Sequence, residues 1–249
     1  MQELNKERTK KRKAEQKMLT ILYEDENILV PVKPAGIQSQ SVHRFEPDMV
    51  SEIRKHLVNL STTMSTNTSV PYVGVIHRLD KPVGGVMVYA KEQKAAAALS
   101  KQVQHGKLKK IYYVVICGKP VDNMGKYVDF LRKDGKNNYS QIVDKSVDES
   151  KRAELSYEIL GTKIIDGQEL SLAKVQLMTG RHHQIRVQFA GHGLPVLGDA
   201  KYGSKVPGRT VPLALWAAQL QFVHPVTGKE MRFSAKPESR AFKDFMELF

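Results

Sequence analysis

Apolar residues recur along this chain with two periods, and the switches between them mark its elements. Ile21-Leu22-Tyr23 and Ile28-Leu29-Val30-Pro31-Val32, on either side of Glu24-Asp25-Glu26-Asn27, read as two short strands across an acidic turn. Lys33-Pro34-Ala35-Gly36 then bends the chain, proline and glycine setting the backbone there. Met49, Ile53, Leu57 and Leu60 repeat at helical spacing, which predicts an amphipathic helix over 48–60, and a Ser/Thr/Asn-rich loop follows over 61–69. The lead-in Val75-Ile76 delivers His77-Arg78-Leu79-Asp80 to the turn residues Lys81-Pro82-Val83-Gly84-Gly85, and Val86-Met87-Val88-Tyr89-Ala90 comes next. This predicts strand, turn, strand with a carboxylate at the bend.

An alanine-rich helix is expected over 92–104, with Leu99 and Val103 facing inward and Gly106 as its stop. Residues 111–117 form a strand in which Tyr112 and Tyr113 must point to opposite faces. The stretch 122–150 is polar and turn-rich, with 133–138 as an exposed loop. Residues 153–160 alternate as a half-buried strand and pair with 170–178 across a turn containing Asp166-Gly167. Thr179 is expected to cap a helix whose buried stripe is Ile185 and Phe189 and whose end is Gly191. A glycine- and proline-dense loop covers 194–203; strands over 212–223 and 229–235 and a short helix over 238–249 close the chain. Many strands, few helices and short connections give an α+β fold. It is one domain over 18–249, with a long mixed, mostly antiparallel sheet flanked by helices and loops.

Composition narrows the function classes. At 249 residues, with 41% hydrophobic content, the chain can bury a sizeable core, and no apolar run approaches a membrane span. The Lys/Arg-rich N-terminus has no signal-type apolar stretch after it, so the cytoplasm is the default location. The single Cys117 rules out an intramolecular disulfide and a multi-cysteine zinc site, and it reads as a small buried hydrophobe. A formal charge of +13 points to a polyanionic partner, of which nucleic acid is the commonest in the cytosol. Residues 1–17 hold seven bases against three acids and almost no large apolar side chain. They are expected to be a flexible basic tail, as an RNA-touching arm or a solubilising segment.

The chemical inventory is short. No phosphate-cradling loop, dinucleotide fingerprint or hydrolase elbow is present. His182, His183 and His192 lie close in sequence, but adjacent histidines diverge and no acid sits at a helical offset, so no metal is expected. Asp80 is the best-placed acid, and Asp199 is a second that could act. An aspartate before a Pro/Gly turn is also ordinary turn chemistry, and the quartet alone leaves both readings open.

His77-Arg78-Leu79-Asp80, with Gly85 and Ala90-Lys91, resembles the signature of the RluA-type RNA pseudouridine synthases. So do Lys33-Pro34-Ala35-Gly36, Lys110-Ile111-Tyr112, Thr179-Gly180-Arg181 with His183-Gln184-Ile185-Arg186-Val187, and Gly193-Leu194-Pro195 with Gly198-Asp199 and Tyr202-Gly203. The matches run in the family's order from about Leu22 to Ser234. The resemblance implies a cofactor-independent isomerisation of uridine in ribosomal or transfer RNA by a monomer: uracil leaves its ribose at N1, turns over, and rejoins through C5. It implies that Asp80 is the nucleophile, that Tyr112 is stacked by the flipped base and able to assist in removing the C5 proton, and that Arg186 pairs with the carboxylate. His77, Arg78, Arg181, His183 and Gln184 are then expected on the substrate or RNA. A catalytically silent RNA-binding protein on the same scaffold is the alternative. The chain departs from the pattern at Val83-Gly84-Gly85, where Thr-Ser-Gly is frequent, at His182, where Thr is common, and at Trp216, where a His often sits.

Overall fold

The computed structural model describes residues 19–41, 46–62, 70–203 and 211–249; the expected basic tail and most of the polar loop over 61–69 lie outside the described residues. β1 (Thr20–Glu24) and β2 (Ile28–Lys33) pair antiparallel. The Asp25 carboxylate closes their turn by accepting the Asn27 and Ile28 amides, both at 2.8 Å. β2 is buried throughout, as a central strand must be if its run is apolar on both faces. Leu29 and Val32 join the cluster containing Met49 and Ile53 of α1 (Met49–Thr62), whereas Ile28 and Val30 pack with Ala95 and Leu99 of α2 (Gln93–Gln104). α2 ends as expected, the Gly106 and Lys107 amides returning to the Val103 and Gln102 carbonyls at 3.2 and 2.9 Å.

The other strands are β3 (Gly74–Val75), β4 (Gly84–Val86), β5 (Tyr89–Ala90), β6 (Lys109–Cys117), β7 (Met124–Asp134), β8 (Tyr139–Val143), β9 (Lys151–Ile165), β10 (Gln168–Leu177), β11 (Leu215–Val223) and β12 (Glu230–Ser234). They form one sheet in the order β3-β5-β2-β4-β11-β6-β10-β9-β7-β8, with β1 on β2 and β12 on β11. Among the described strands only β4–β11 is parallel, so the α+β architecture with a mixed, mostly antiparallel sheet is the observed one. The Asp166-Gly167 turn has positive φ at both residues (52° and 75°), which matches the right-handed twist of the β9–β10 hairpin.

Four expectations need correction. The 75–91 stretch is strand, turn, strand only at its ends, where Val75 pairs with Tyr89 of β5; the strand directly after the turn, β4, instead inserts between β2 and β11. Residues 76–83 are irregular, because the apolar run after the turn divides between two short strands with different partners. The polar 122–150 region holds two strands, β7 and β8, around the loop. An apolar pattern does not reveal them, because an outer hairpin is held by ladder bonds to β9 with little burial. Thr179 caps no helix; α3 (Gln184–Gly191) starts after His183, and the Thr179 hydroxyl donates to Gln184 Oε1 at 2.7 Å. The C-terminal segment is a 3₁₀ helix (Arg240–Leu248), whose three-residue turn stacks the buried Phe242 and Phe245. Cys117 is half-buried beside the core.

Two departures from the family pattern face each other. Gly84 and Trp216 are register partners in the β4–β11 pair, and a Cβ on Gly84 would lie 2.4 Å from Trp216 Cζ3. The indole therefore fills the space of the missing side chain, and its Nε1 donates to the Ala235 carbonyl at 2.8 Å. Next door, Gly85 has φ 129° and no room for a Cβ, which would meet the Ala217 carbonyl oxygen at 2.2 Å.

Gly84→Ser should cost about 2–3 kcal/mol through this overlap. In a Trp216→His background the same change should cost at least about 1 kcal/mol less. Urea denaturation of the two single variants and the double variant checks this; equal costs in both backgrounds would refute the packing account.

Candidate active site

Asp80 stands at the first position of a turn, its carbonyl accepting the Val83 amide at 3.0 Å. Pairing within a hairpin does not hold this turn; the segment after β2 does. The Ser39 hydroxyl donates to the Leu79 carbonyl and accepts the Leu79 amide, both at 2.9 Å. The Lys33 ammonium, fully buried, donates to the carbonyls of Val83 (2.7 Å), Pro34 (3.1 Å) and Lys81 (3.2 Å). Burial pulls the Lys33 amine down to about 8, with the Asp80 charge opposing. The Gly36 amide adds a bond to the Lys81 carbonyl at 2.8 Å. Backbone on both sides of Asp80 is thus pinned while its side chain stays 27% exposed.

Arg186 reaches this carboxylate from α3. Its Nη1 donates to Asp80 Oδ2 at 3.0 Å, while Nε and Nη2 grip Asp199 Oδ2 and Oδ1 at 2.7 and 2.8 Å. The Asp199 side chain has no exposed surface and also accepts the amides of Lys201 and Tyr202. It is therefore not the free second acid the sequence allowed. Burial alone would raise its carboxyl, but the two bonds and the charge of Arg186 outweigh this and hold it below the ordinary range. Asp80 differs: Arg186 takes Oδ2, and no hydrogen bond to Oδ1 is found among the described residues.

The other expected residues divide between surface and interior. Tyr112 is buried on the Asp80 side of β6, and burial, with the Asp80 charge, pushes its phenol above the ordinary value, so it keeps its proton. Arg78 and Arg181 are exposed, Arg181 Nε donating to the Arg152 carbonyl at 2.9 Å. Gln184 is buried and saturated: its amide donates to Glu154 O and Gln188 Oε1, and its oxygen accepts from Thr179 Oγ1 and the Arg181 amide. His77 is turned inward. Its Nε2 accepts the Val88 amide at 3.3 Å, Nδ1 is buried without a partner among the described residues, and burial, with Lys110, takes the ring down to about 3. His183 lies with Nε2 3.5 Å from Asp80 Oδ2 and only 7% of its side chain exposed. His192, grouped with His182 and His183 in sequence, instead stacks on Tyr127 and contacts Asp129.

Sequence reasoning leaves Lys33, Ser39 and Tyr202 without roles. The signal for Lys33 is a lysine closing an otherwise apolar buried strand, whereas nothing local marks Ser39. Tyr202 stacks under the Arg186 guanidinium at 5.1 Å. Two clefts, sharing Ile111 and Gln176, lie on the sheet face opposite Tyr112 and so away from Asp80.

Comparison with known proteins gives the family and the fold. Residues 27–191 match the model of the RNA pseudouridylate synthase family. An uncharacterized RNA pseudouridine synthase of Aquifex aeolicus is 36% identical, over 90% of this chain and 71% of the relative. The ribosomal large subunit pseudouridine synthase D of Zymomonas mobilis is 30% identical, over 88% of this chain and 69% of its own. In structure, human RNA Pseudouridylate Synthase Domain Containing 1 superposes with a TM-score of 0.70 at 19% identity, over 88% of this chain and 84% of that one, which shows a shared fold.

Asp199→Asn should cost about 3–5 kcal/mol at neutral pH, since it leaves a buried guanidinium half-paired. The Asp199 pKa is depressed below its ordinary 3.8, so the stability it lends is complete above that value and is lost as pH falls through the lower, folded one. Stability measured from about pH 7 down to about pH 3 should therefore fall less steeply at the acid end for the variant. Parallel acid limbs would remove Asp199 from this role.

Proposed function

The chain belongs to the RNA pseudouridylate synthase family, whose enzymes isomerise uridine in RNA, and from that premise we propose that Asp80 is the reacting carboxylate. The observation that carries the reading is the division of labour within Asp80: Oδ2 is held by Arg186 and Oδ1 is left open on a partly exposed side chain. A carboxylate held through one oxygen leaves the other available to attack. The net reaction is an isomerisation, exchanging a C1′–N1 bond for a C1′–C5 bond, with the hydrogen leaving C5 and one arriving at N1. It requires no external oxidant, reductant or group donor.

A uracil stacked in RNA cannot reach a carboxylate held this deep, so the base must leave the stack, at a cost of about a few kcal/mol. Tyr112, buried beside Asp80 and protonated, offers a ring face for the extruded base and is poorly suited, in the free protein, to serve as a base. The exposed Arg78, two residues before Asp80, is placed to enter the gap in the RNA, and Arg181 to meet a phosphate. The charge of +13 supports the grip. Ribosomal RNA is the first substrate to test, because one relative is named a ribosomal large subunit synthase; transfer RNA is the second.

RNA carrying tritium at uridine C5 releases it to water when pseudouridine forms. The protein should release tritium from ribosomal or transfer RNA, and Asp80→Asn should lower turnover by at least about a thousand-fold with RNA binding retained. Near wild-type turnover by this variant would overturn the assignment, and tight binding without release from any RNA would favour the silent binder.

A further inference from the structure

We infer that His183 is a positioning residue that fixes the plane of the Asp80 carboxylate, and that Tyr202 sets the tautomer in which it does so; this rests on Asp80 being the reacting carboxylate. The backbone of His183 is anomalous. It heads α3 with φ 53°, a left-handed conformation uncommon outside glycine, though histidine enters it more readily than most side chains. The surroundings are specific. His183 Nδ1 is 2.8 Å from the Tyr202 hydroxyl, which accepts the Ser140 amide at 2.8 Å. Burial raises the Tyr202 phenol to about 12, which keeps it neutral; its oxygen already accepts the Ser140 amide, and among the described residues the acceptor within hydrogen-bonding distance of its proton is His183 Nδ1. The ring proton must then sit on Nε2, and Nε2 faces Asp80 Oδ2.

The ring is neutral at ordinary pH. Burial takes it down to about 4; the Asp80 charge opposes this, and Arg186, His182 and Lys201 add to it. His183 thus offers Asp80 a neutral donor beside the cationic one from Arg186. One hydrogen bond from Arg186 Nη1 leaves the carboxylate free to pivot about its terminal torsion, which would swing Oδ1 away from the substrate. A second donor on the same oxygen stops that pivot. At 3.5 Å the contact is longer than a hydrogen bond, and contacts of this kind shorten when the substrate closes the site.

The clamp is anchored in part outside the segments that carry the resemblance, on the β7–β8 hairpin. His182 stacks on His183 with centroids 3.7 Å apart and is pinned by Ser140 Oγ at 2.8 Å and Asn138 Oδ1 at 3.0 Å. Lys201 Nζ donates to the Asn138 carbonyl at 2.8 Å. Every anchor of the His182–His183 pair therefore runs to the β7–β8 hairpin or to the Asp199–Tyr202 loop. The polar hairpin thereby acquires a role, which is to set the angle of the reacting carboxylate.

The test is steady-state kinetics on the ribosomal or transfer RNA that the wild type modifies, with three variants. In His183→Asn the amide nitrogen reaches only the Nδ1 position, and kcat should fall about ten- to a hundred-fold with KM within about two-fold. In His183→Gln the amide reaches the Nε2 position, and kcat should recover to within about ten-fold of wild type. Tyr202→Phe keeps the ring under Arg186 but removes the proton donor; it should lower kcat alone and add little to His183→Asn. A loss confined to KM, equal losses in the Asn and Gln variants, or unchanged kcat in Tyr202→Phe would overturn the proposal. Should a His183 variant fail to fold, Tyr202→Phe still decides. Asp80→Asn, run alongside, separates the two readings: if it stays active the Asp80 assignment fails, and if it is inactive while the other variants match wild type, only the His183 proposal fails.

Discussion

A single buried guanidinium organises this molecule. Arg186 sits on a short helix that is buried on nearly every side, and its charge would be costly there without compensation. Asp199 supplies it, with two parallel hydrogen bonds and no exposed surface of its own. Because the fork is already committed to Asp199, the remaining Nη1 points in one direction, and Asp80 is found there. The salt bridge that stabilises the helix and the contact that aims the carboxylate are thus parts of one rigid object. The Lys33 ammonium, on the other side of the same turn, offsets the excess negative charge of two aspartates sharing one arginine.

That arrangement explains why an irregular segment can serve as a platform for a reacting group. Residues 76–83 have no continuous ladder, yet Ser39, Lys33 and Gly36 satisfy their backbone groups one by one. Buried polar groups used in this way fix a conformation that strand pairing would not permit, because a strand would alternate its side chains across the sheet. The Gly84–Trp216 exchange borders this network: Gly84 follows Val83, and a Cβ there would lie 3.1 Å from the Lys33 carbonyl oxygen.

The strongly basic surface and the sparse set of exposed site residues fit a division between grip and chemistry. Arg78 and Arg181 remain exposed, while His77, His183 and Gln184 are drawn into the structure. Gln184 illustrates the difference: all four of its hydrogen-bonding positions are used within the protein, tying β9 to the start of α3.

Local sequence determined what local physics can dictate. The apolar periods predict β1, β2, α1, α2, β6 and the β9–β10 hairpin, since burial on one face or two leaves a period in the chain. Asp80 and Arg186 are singled out through the order of several short motifs, and Tyr112 with them. Only the tertiary structure decided the rest. The β7–β8 hairpin carries no apolar period because it is stabilised by backbone pairing at the sheet's edge, and 75–91 departs from a simple hairpin because β4, between the paired ends β3 and β5, joins β2 and the sequence-distant β11. The left-handed start of α3, the contacts of His183 and the pairing of Asp199 depend on residues as far apart as Asp80 and Arg186. No window of neighbouring residues contains them, for a hydrogen bond across the fold is made by atoms that the chain alone does not bring together.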